Sequence, residues 1–229
     1  MNINNINISY DLLIWIGLII TVISQLLIKI TYSKYQKEEN KQRLTGFDVA
    51  RQILDKNGLK DILVLETSGY LTDHYDPTKK VVKLSTDIYH GTTISSASVA
   101  AHECGHAIQD KENYTPMRIR SKIIPTVNLF TKLGYLSIII GAIFDYRLMI
   151  IGVILLLSIL LFQIITLPVE FNASIRALKQ IENLNLLTES ERTGAKKVLT
   201  AAAFTYVASV LTTLLQILRY VLIANSKRR

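Results

Sequence analysis

One cysteine, Cys104, is all the thiol chemistry that this chain of 229 residues carries. A lone thiol excludes an intrachain disulfide and a cysteine-cluster zinc finger. Ten glycines and four prolines exclude collagen-like and low-complexity architectures. Charge is scarce as well: 19% of residues are charged against 49% hydrophobic, and the mean hydropathy is +0.29. That excludes a disordered chain and is unusually apolar for a soluble domain. The charge that exists is basic, 26 Lys and Arg against 18 Asp and Glu, a formal +8. The basic residues gather beside long apolar runs, which points to a membrane surface and away from nucleic acid.

A helix needs about 20 apolar residues to cross a bilayer. Leu12–Thr31, Leu148–Leu167 and Ala202–Ala224 meet that length, and Thr126–Phe144 is a fourth run that Lys132 shortens. Asp145-Tyr146-Arg147 is the expected turn of a hairpin between the Thr126 and Leu148 runs. The first run lacks the basic start and small-residue cleavage site of a signal peptide, so it reads as a retained anchor. The expected organisation is an anchor at 1–31, a catalytic region at 32–125, a hairpin at 126–167, polar helices at 168–201, and a last span with a basic tail at 202–229. Basic flanks follow span one (Lys34, Lys37, Lys41, Arg43), precede span two (Arg118, Arg120, Lys122) and separate spans three and four (Arg176, Lys179, Arg192, Lys196, Lys197). By the positive-inside rule these flanks are cytoplasmic, giving a multi-pass protein of the cell membrane whose polar part faces the cytoplasm. The tail Lys227-Arg228-Arg229 is the one dissenting charge cluster.

In the polar stretches, Thr45 can cap an amphipathic helix to Asn57 that buries Phe47, Ala50, Ile53 and Leu54, with Gly58 as its stop. Residues 60–90 read as β-like, with turns near Gly69 and at Asp76-Pro77. Thr92–Asp110 reads as a Ser- and Ala-rich helix. A further helix is expected to start near Glu170, and Thr188 with Glu191 forms a capping box for the helix that leads into the last span.

His102-Glu103-Cys104-Gly105-His106 is an H-E-x-x-H on a predicted helix. Residues i and i+4 share a face, so both imidazoles can meet one ion. Glu103 sits roughly 100° round, within reach of a water bound there, and Cys104 points inward. Catalytic zinc takes three protein ligands and a water. The extended H-E-x-x-H-x-x-G-x-x-H is absent, since Gln109 and Glu112 stand at its glycine and last histidine positions. The third ligand must come from elsewhere. Glu170 is the best candidate, because two spans return the chain to the same membrane face. Its local sequence suits a helix N-terminal carboxylate equally well. Glu112 and Glu182 are rivals. Tyr206 is a candidate oxyanion donor, against a plain packing role. His74 is a candidate substrate contact, and Arg176 either pairs with a site carboxylate or is a flank charge.

At these residues the chain resembles the bacterial membrane-anchored neutral zinc metallopeptidase (YugP-like) family. The likeness rests on Asp73-His74-Tyr75-Asp76-Pro77, Lys83-Leu84-Ser85, Val99 through Gln109, Leu167-Pro168-Val169-Glu170-Phe171-Asn172-Ala173-Ser174, and Gly194 through Ala208. The resemblance implies a mostly α membrane protein with about four transmembrane helices and a zincin-like α+β catalytic part. It also implies a gluzincin-like site in which Glu170 joins His102 and His106 on one zinc ion per chain. A more distant likeness to membrane proteases of the HtpX and CAAX-processing kind puts Ser174 where those carry an aspartate. The closer family usually has an aspartate where Asn172 stands. Asn172 and Ser174 are therefore the expected neutral partners that orient the histidines.

The expected activity is zinc-dependent hydrolysis of polypeptides, membrane proteins included, with Glu103 as general base. The partners expected are peptide and bilayer, without nucleic acid, and nothing in the pattern fixes an oligomeric state. The competing reading is a membrane scaffold or sensor with a structural or vestigial metal site, which would call for a closed set of four protein ligands.

Overall fold

The computed structural model of the chain describes residues 3–227, and the side chains of residues 10–226. It is mostly helical, with a small mixed sheet. Four helices are long and apolar enough to cross a membrane: α1 (Ile3–Tyr35), α5 (Thr115–Ile143), α6 (Tyr146–Asn183) and α7 (Glu189–Lys227). The chain separates into two compact units. One holds the apolar stretches up to Gln25, Ile119–Leu167 and the chain from Thr205; the other holds Leu26–Arg118 and Pro168–Phe204.

In the first unit the helices meet through small residues, as expected where lipid removes the hydrophobic drive between them. A β-carbon built on Gly152 would lie 2.6 Å from the Gly134 carbonyl oxygen, so only glycine lets α5 and α6 approach this closely. Thr21 and Thr212 share a hydroxyl hydrogen bond of 3.2 Å between α1 and α7. Leu18, Ile139, Ile154 and Leu214 face outward, which suits a lipid surround. The tail residues Arg228 and Arg229 lie outside the described residues.

The second unit is built on α2 (Gly46–Lys56), β1 (Leu63–Thr67), β2 (His74–Asp76), β3 (Val81–Ser85), α3 (Thr86–His90) and α4 (Ile94–Lys111), joined by the ends of the long helices. Helix α2 starts where Thr45 and Asp48 cap each other: Thr45 Oγ1 accepts from Asp48 N at 3.1 Å, and Thr45 N donates to Asp48 Oδ2 at 2.9 Å. Its buried face is Val49, Ala50, Ile53 and Leu54, whereas Phe47 is half-buried against Tyr89. The strand order is β1-β3-β2, with β1 parallel to β3 (Leu63↔Val81) and β2 antiparallel to it (Tyr75↔Val82). Asp76 Oδ1 accepts from Thr78 N and Lys79 N, the turn that returns β2 into β3. The β-like reading overran its end, because residues 86–90 wind into α3.

The larger correction concerns Glu170. No helix starts there; α6 runs unbroken through Pro168 for 38 residues. Pro168 lacks an N–H, yet the helix absorbs one missing donor. Thr188 N donates to Glu191 Oε2 at 2.7 Å, as the capping pattern anticipated, and Lys41 N donates to Glu191 Oε1 at 2.8 Å.

Thr45→Ala removes one half of the α2 cap. We expect a loss of about 1 kcal/mol and a fall of about 2–4 °C in the thermal midpoint of the detergent-solubilised protein; an unchanged midpoint would deny the cap its role.

Candidate functional site

Helix α4 is rich in Ala and Ser and is buried along most of its length. Thr93 starts it, accepting from Ser96 N at 3.1 Å. Its period puts His102 and His106 on one face and Gly105 beside them. On α6 the same period stacks Glu170 and Ser174, with Ala173 alongside. A β-carbon on Gly105 would sit 2.5 Å from the Ala173 carbonyl oxygen. The two helices touch backbone to backbone there, and that contact lets the short polar side chains on either side of it meet.

They meet at one carboxylate oxygen. His102 Nε2 lies 3.3 Å from Glu170 Oε2, and His106 Nε2 lies 3.7 Å from the same atom. The three ligand atoms fall within 4.8 Å of one another, so the group is able to hold a metal ion. Glu170 is only 3% exposed. The far side of each ring is occupied: His102 Nδ1 lies 3.2 Å from Ser174 Oγ, and His106 Nδ1 lies 3.0 Å from Gln109 Oε1. Each imidazole thus has one nitrogen tied to a neutral oxygen and the other turned to the shared point. Two imidazoles and a carboxylate are a donor set that zinc accepts.

Burial depresses the basicity of His106, but its contact with Glu170 and the charges of Glu103 and Glu170 outweigh that and raise its pKa. Glu103 is 8% exposed, and its Oε2 accepts from the Tyr75 backbone N–H on β2 at 2.9 Å. Tyr75 in turn donates its hydroxyl to Asp110 Oδ2 at 2.7 Å, and Lys80 Nζ pairs with the same carboxylate. The β2–β3 hairpin is therefore fastened to α4 at Glu103, inside the motif, and at Asp110, beyond it. Cys104 packs inward, its Sγ 3.6 Å from the Ala50 carbonyl, and burial pushes its thiol pKa up.

Of the residues singled out in the sequence, the structure brings His102, His106, Glu170 and Ser174 together. Asn172 reaches the site only through Gln109, whose Nε2 donates to Asn172 Oδ1 at 3.0 Å. His74 is exposed, with Nδ1 2.7 Å from the Thr72 carbonyl oxygen. Tyr206 falls in the unit that does not contain the three ligands. The rival carboxylates are engaged elsewhere: Glu112 with Arg176 at 2.7 Å and Glu182 with Arg192 at 2.9 Å. Sequence reasoning missed Tyr75, which acts through its main chain, and treated Gln109 only as a departure from a longer motif. The i, i+3 spacing of Gln109 from His106 was the available signal.

Residues 10–225 match the family model described as "Putative neutral zinc metallopeptidase". "Putative membrane protease YugP" of Bacillus subtilis (strain 168) is 45% identical over 201 residues, which is 87% of this chain and 89% of that protein. No solved structure matches the chain.

Gly105→Ala places a methyl against the Ala173 backbone. We expect it to cost about 1–3 kcal/mol of stability and to spread the three ligands, seen as weaker metal uptake in equilibrium dialysis; wild-type uptake would mean the contact is slack. The pH dependence of uptake has a definite sign. A proton held on His106 by its raised pKa competes with the ion, so occupancy falls on acidification and begins to fall at higher pH than for an unperturbed imidazole. Metal titrations between about pH 5 and 8 read this directly, and a flat profile would contradict it.

Proposed function

The chain belongs to the family of neutral zinc metallopeptidases, and from that premise we propose that it is a membrane-bound protease that hydrolyses peptide bonds at His102, His106 and Glu170. The observation that carries the reading is the convergence of these three side chains on one point between α4 and α6. Zinc bound there would lower the pKa of a water and polarise the scissile carbonyl. Glu103 accepts the proton of the attacking water and returns it to the leaving amine. The Tyr75 N–H, fixed by β2, holds the Glu103 side chain in place from one oxygen. Because β2 is an edge strand that touches Glu103, an extended peptide laid beside it passes the general base, and exposed His74 is positioned to contact it. We place Ser174 as the neutral partner that orients His102, with Asn172 one step removed, behind Gln109. The glutamate ligand, on a helix apart from the H-E-x-x-H, makes the arrangement gluzincin-like.

Among the described residues the cluster numbers three protein ligands, which favours a catalytic over a structural site, since structural zinc normally has four. The basic flanks support a cytoplasmic position for the catalytic unit. Its substrate class is polypeptide, and proteins of the same membrane are within reach of an enzyme with four apolar helices.

The test measures metal content and peptide cleavage by the detergent-purified chain. We expect about one zinc per wild-type chain and none in His106→Ala or Glu170→Ala. Glu103→Gln should keep its zinc and lose at least ~100-fold in hydrolysis. An active Glu103→Gln protein would remove Glu103 from the mechanism, and a wild type without metal after zinc reloading would leave the scaffold reading in place.

A further inference from the structure

Gln109 is fully buried, yet no step of the proposed hydrolysis uses it. Its amide makes three contacts. Oε1 faces His106 Nδ1 at 3.0 Å, and Nε2 faces the Val169 carbonyl at 2.8 Å and Asn172 Oδ1 at 3.0 Å. Asn172 Oδ1 also receives Arg176 Nε at 2.6 Å, and Arg176 is held on its other side by Glu112 at 2.7 Å.

The polarity of this chain of contacts is determined from both ends. A backbone carbonyl only accepts, so the atom of Gln109 that faces Val169 must be the NH2 group. A guanidinium only donates, so the atom of Asn172 that faces Arg176 must be the oxygen. That oxygen then takes the second hydrogen of the Gln109 NH2. Turning the Gln109 amide over would set its oxygen against two acceptors. Its oxygen is therefore committed to His106, and His106 Nδ1 must carry a hydrogen. The lone pair of the neutral ring is left on Nε2, the nitrogen that faces Glu170 Oε2 at 3.7 Å.

We propose that Gln109 is a positioning residue that fixes the tautomer of His106, and that Asn172, Arg176 and Glu112 hold the Gln109 amide in the orientation that does so. The inference rests on the metalloprotease reading of the same site and adds to it how one ligand is presented. Metal-ligating histidines are commonly oriented by a carboxylate. Here the contact is a neutral amide, and the charged pair Arg176–Glu112 begins three contacts away from the ring. The element is also the link between the helices that carry the ligands, since Gln109 stands on α4 and its acceptors on α6.

The test uses the full chain in detergent, with Zn2+ in competition against a chromophoric chelator, and 15N NMR of the imidazoles in the zinc-free protein, where no metal fixes the tautomer. Gln109→Leu keeps the size of the side chain and removes its hydrogen bonds. We expect it to bind zinc about 10–100-fold more weakly and to lose the Nδ1–H signature of His106. Asn172→Asp retains the accepting oxygen and should bind close to wild type, whereas Asn172→Leu should weaken binding. That pair decides the matter if Gln109→Leu fails to fold. A Gln109 that only fills space would leave the zinc affinity and the imidazole signature of Gln109→Leu unchanged, and equal binding by Asn172→Asp and Asn172→Leu would remove the outer part of the chain. Either result overturns the inference while the metal site stands. A wild-type protein that takes up no zinc overturns the site and this inference together.

Discussion

The contact on which the catalytic unit depends is the one between Gly105 and Ala173. With 2.5 Å separating a hypothetical β-carbon from a carbonyl oxygen, α4 and α6 lie too close for any side chain at position 105. Several of the polar side chains at the site act across that seam. Glu170 reaches both imidazoles, Ser174 reaches one of them, and Gln109 reaches back to Val169. The glycine inside the H-E-x-x-H is thus a packing residue for the site as much as a member of the motif. The small residues Ala97, Ala100, Ala101 and Ala107 extend the principle along α4, which is buried on most of its circumference.

Burying this much polarity is tolerable only because the groups satisfy one another. Glu103 takes the Tyr75 N–H, Glu170 faces two imidazoles, and both ends of the Gln109 amide have partners. Such a network also dictates rigidity. A side chain with every hydrogen bond assigned has one rotamer that works, and the ligands inherit that definition.

Much of this was legible in the sequence, for identifiable reasons. The H-E-x-x-H is local, so its spacing alone puts two histidines on a face. The cap at Thr45 is local too, and the apolar runs are long enough to announce themselves. Glu170 was reachable only by argument from membrane topology and from family resemblance, and its surroundings were misread. A helix was expected to start near Glu170, but Pro168 costs only one backbone donor and is carried within a continuous α6. The β-like stretch was drawn through residues 86–90, which instead form α3 with Ile88 fully buried. What the sequence concealed was contact at a distance. Tyr75 touches Glu103 through its main chain, which no side-chain pattern encodes. Gln109 meets Asn172 across 63 positions of chain, a pairing that only the fold supplies.

The neutral character of the partners around the two imidazoles has an electrostatic outcome. With a divalent ion in place, the Glu170 carboxylate would offset one of its two charges, and Ser174 and Gln109 would contribute none. The ligand set would then leave a single positive charge at the ion. Long-range attraction would follow the field of the whole chain, formally +8, and would not be set at the site. Discrimination would fall to short-range terms, the fit of a peptide against the edge of the sheet and the hydrogen bonds that it completes there.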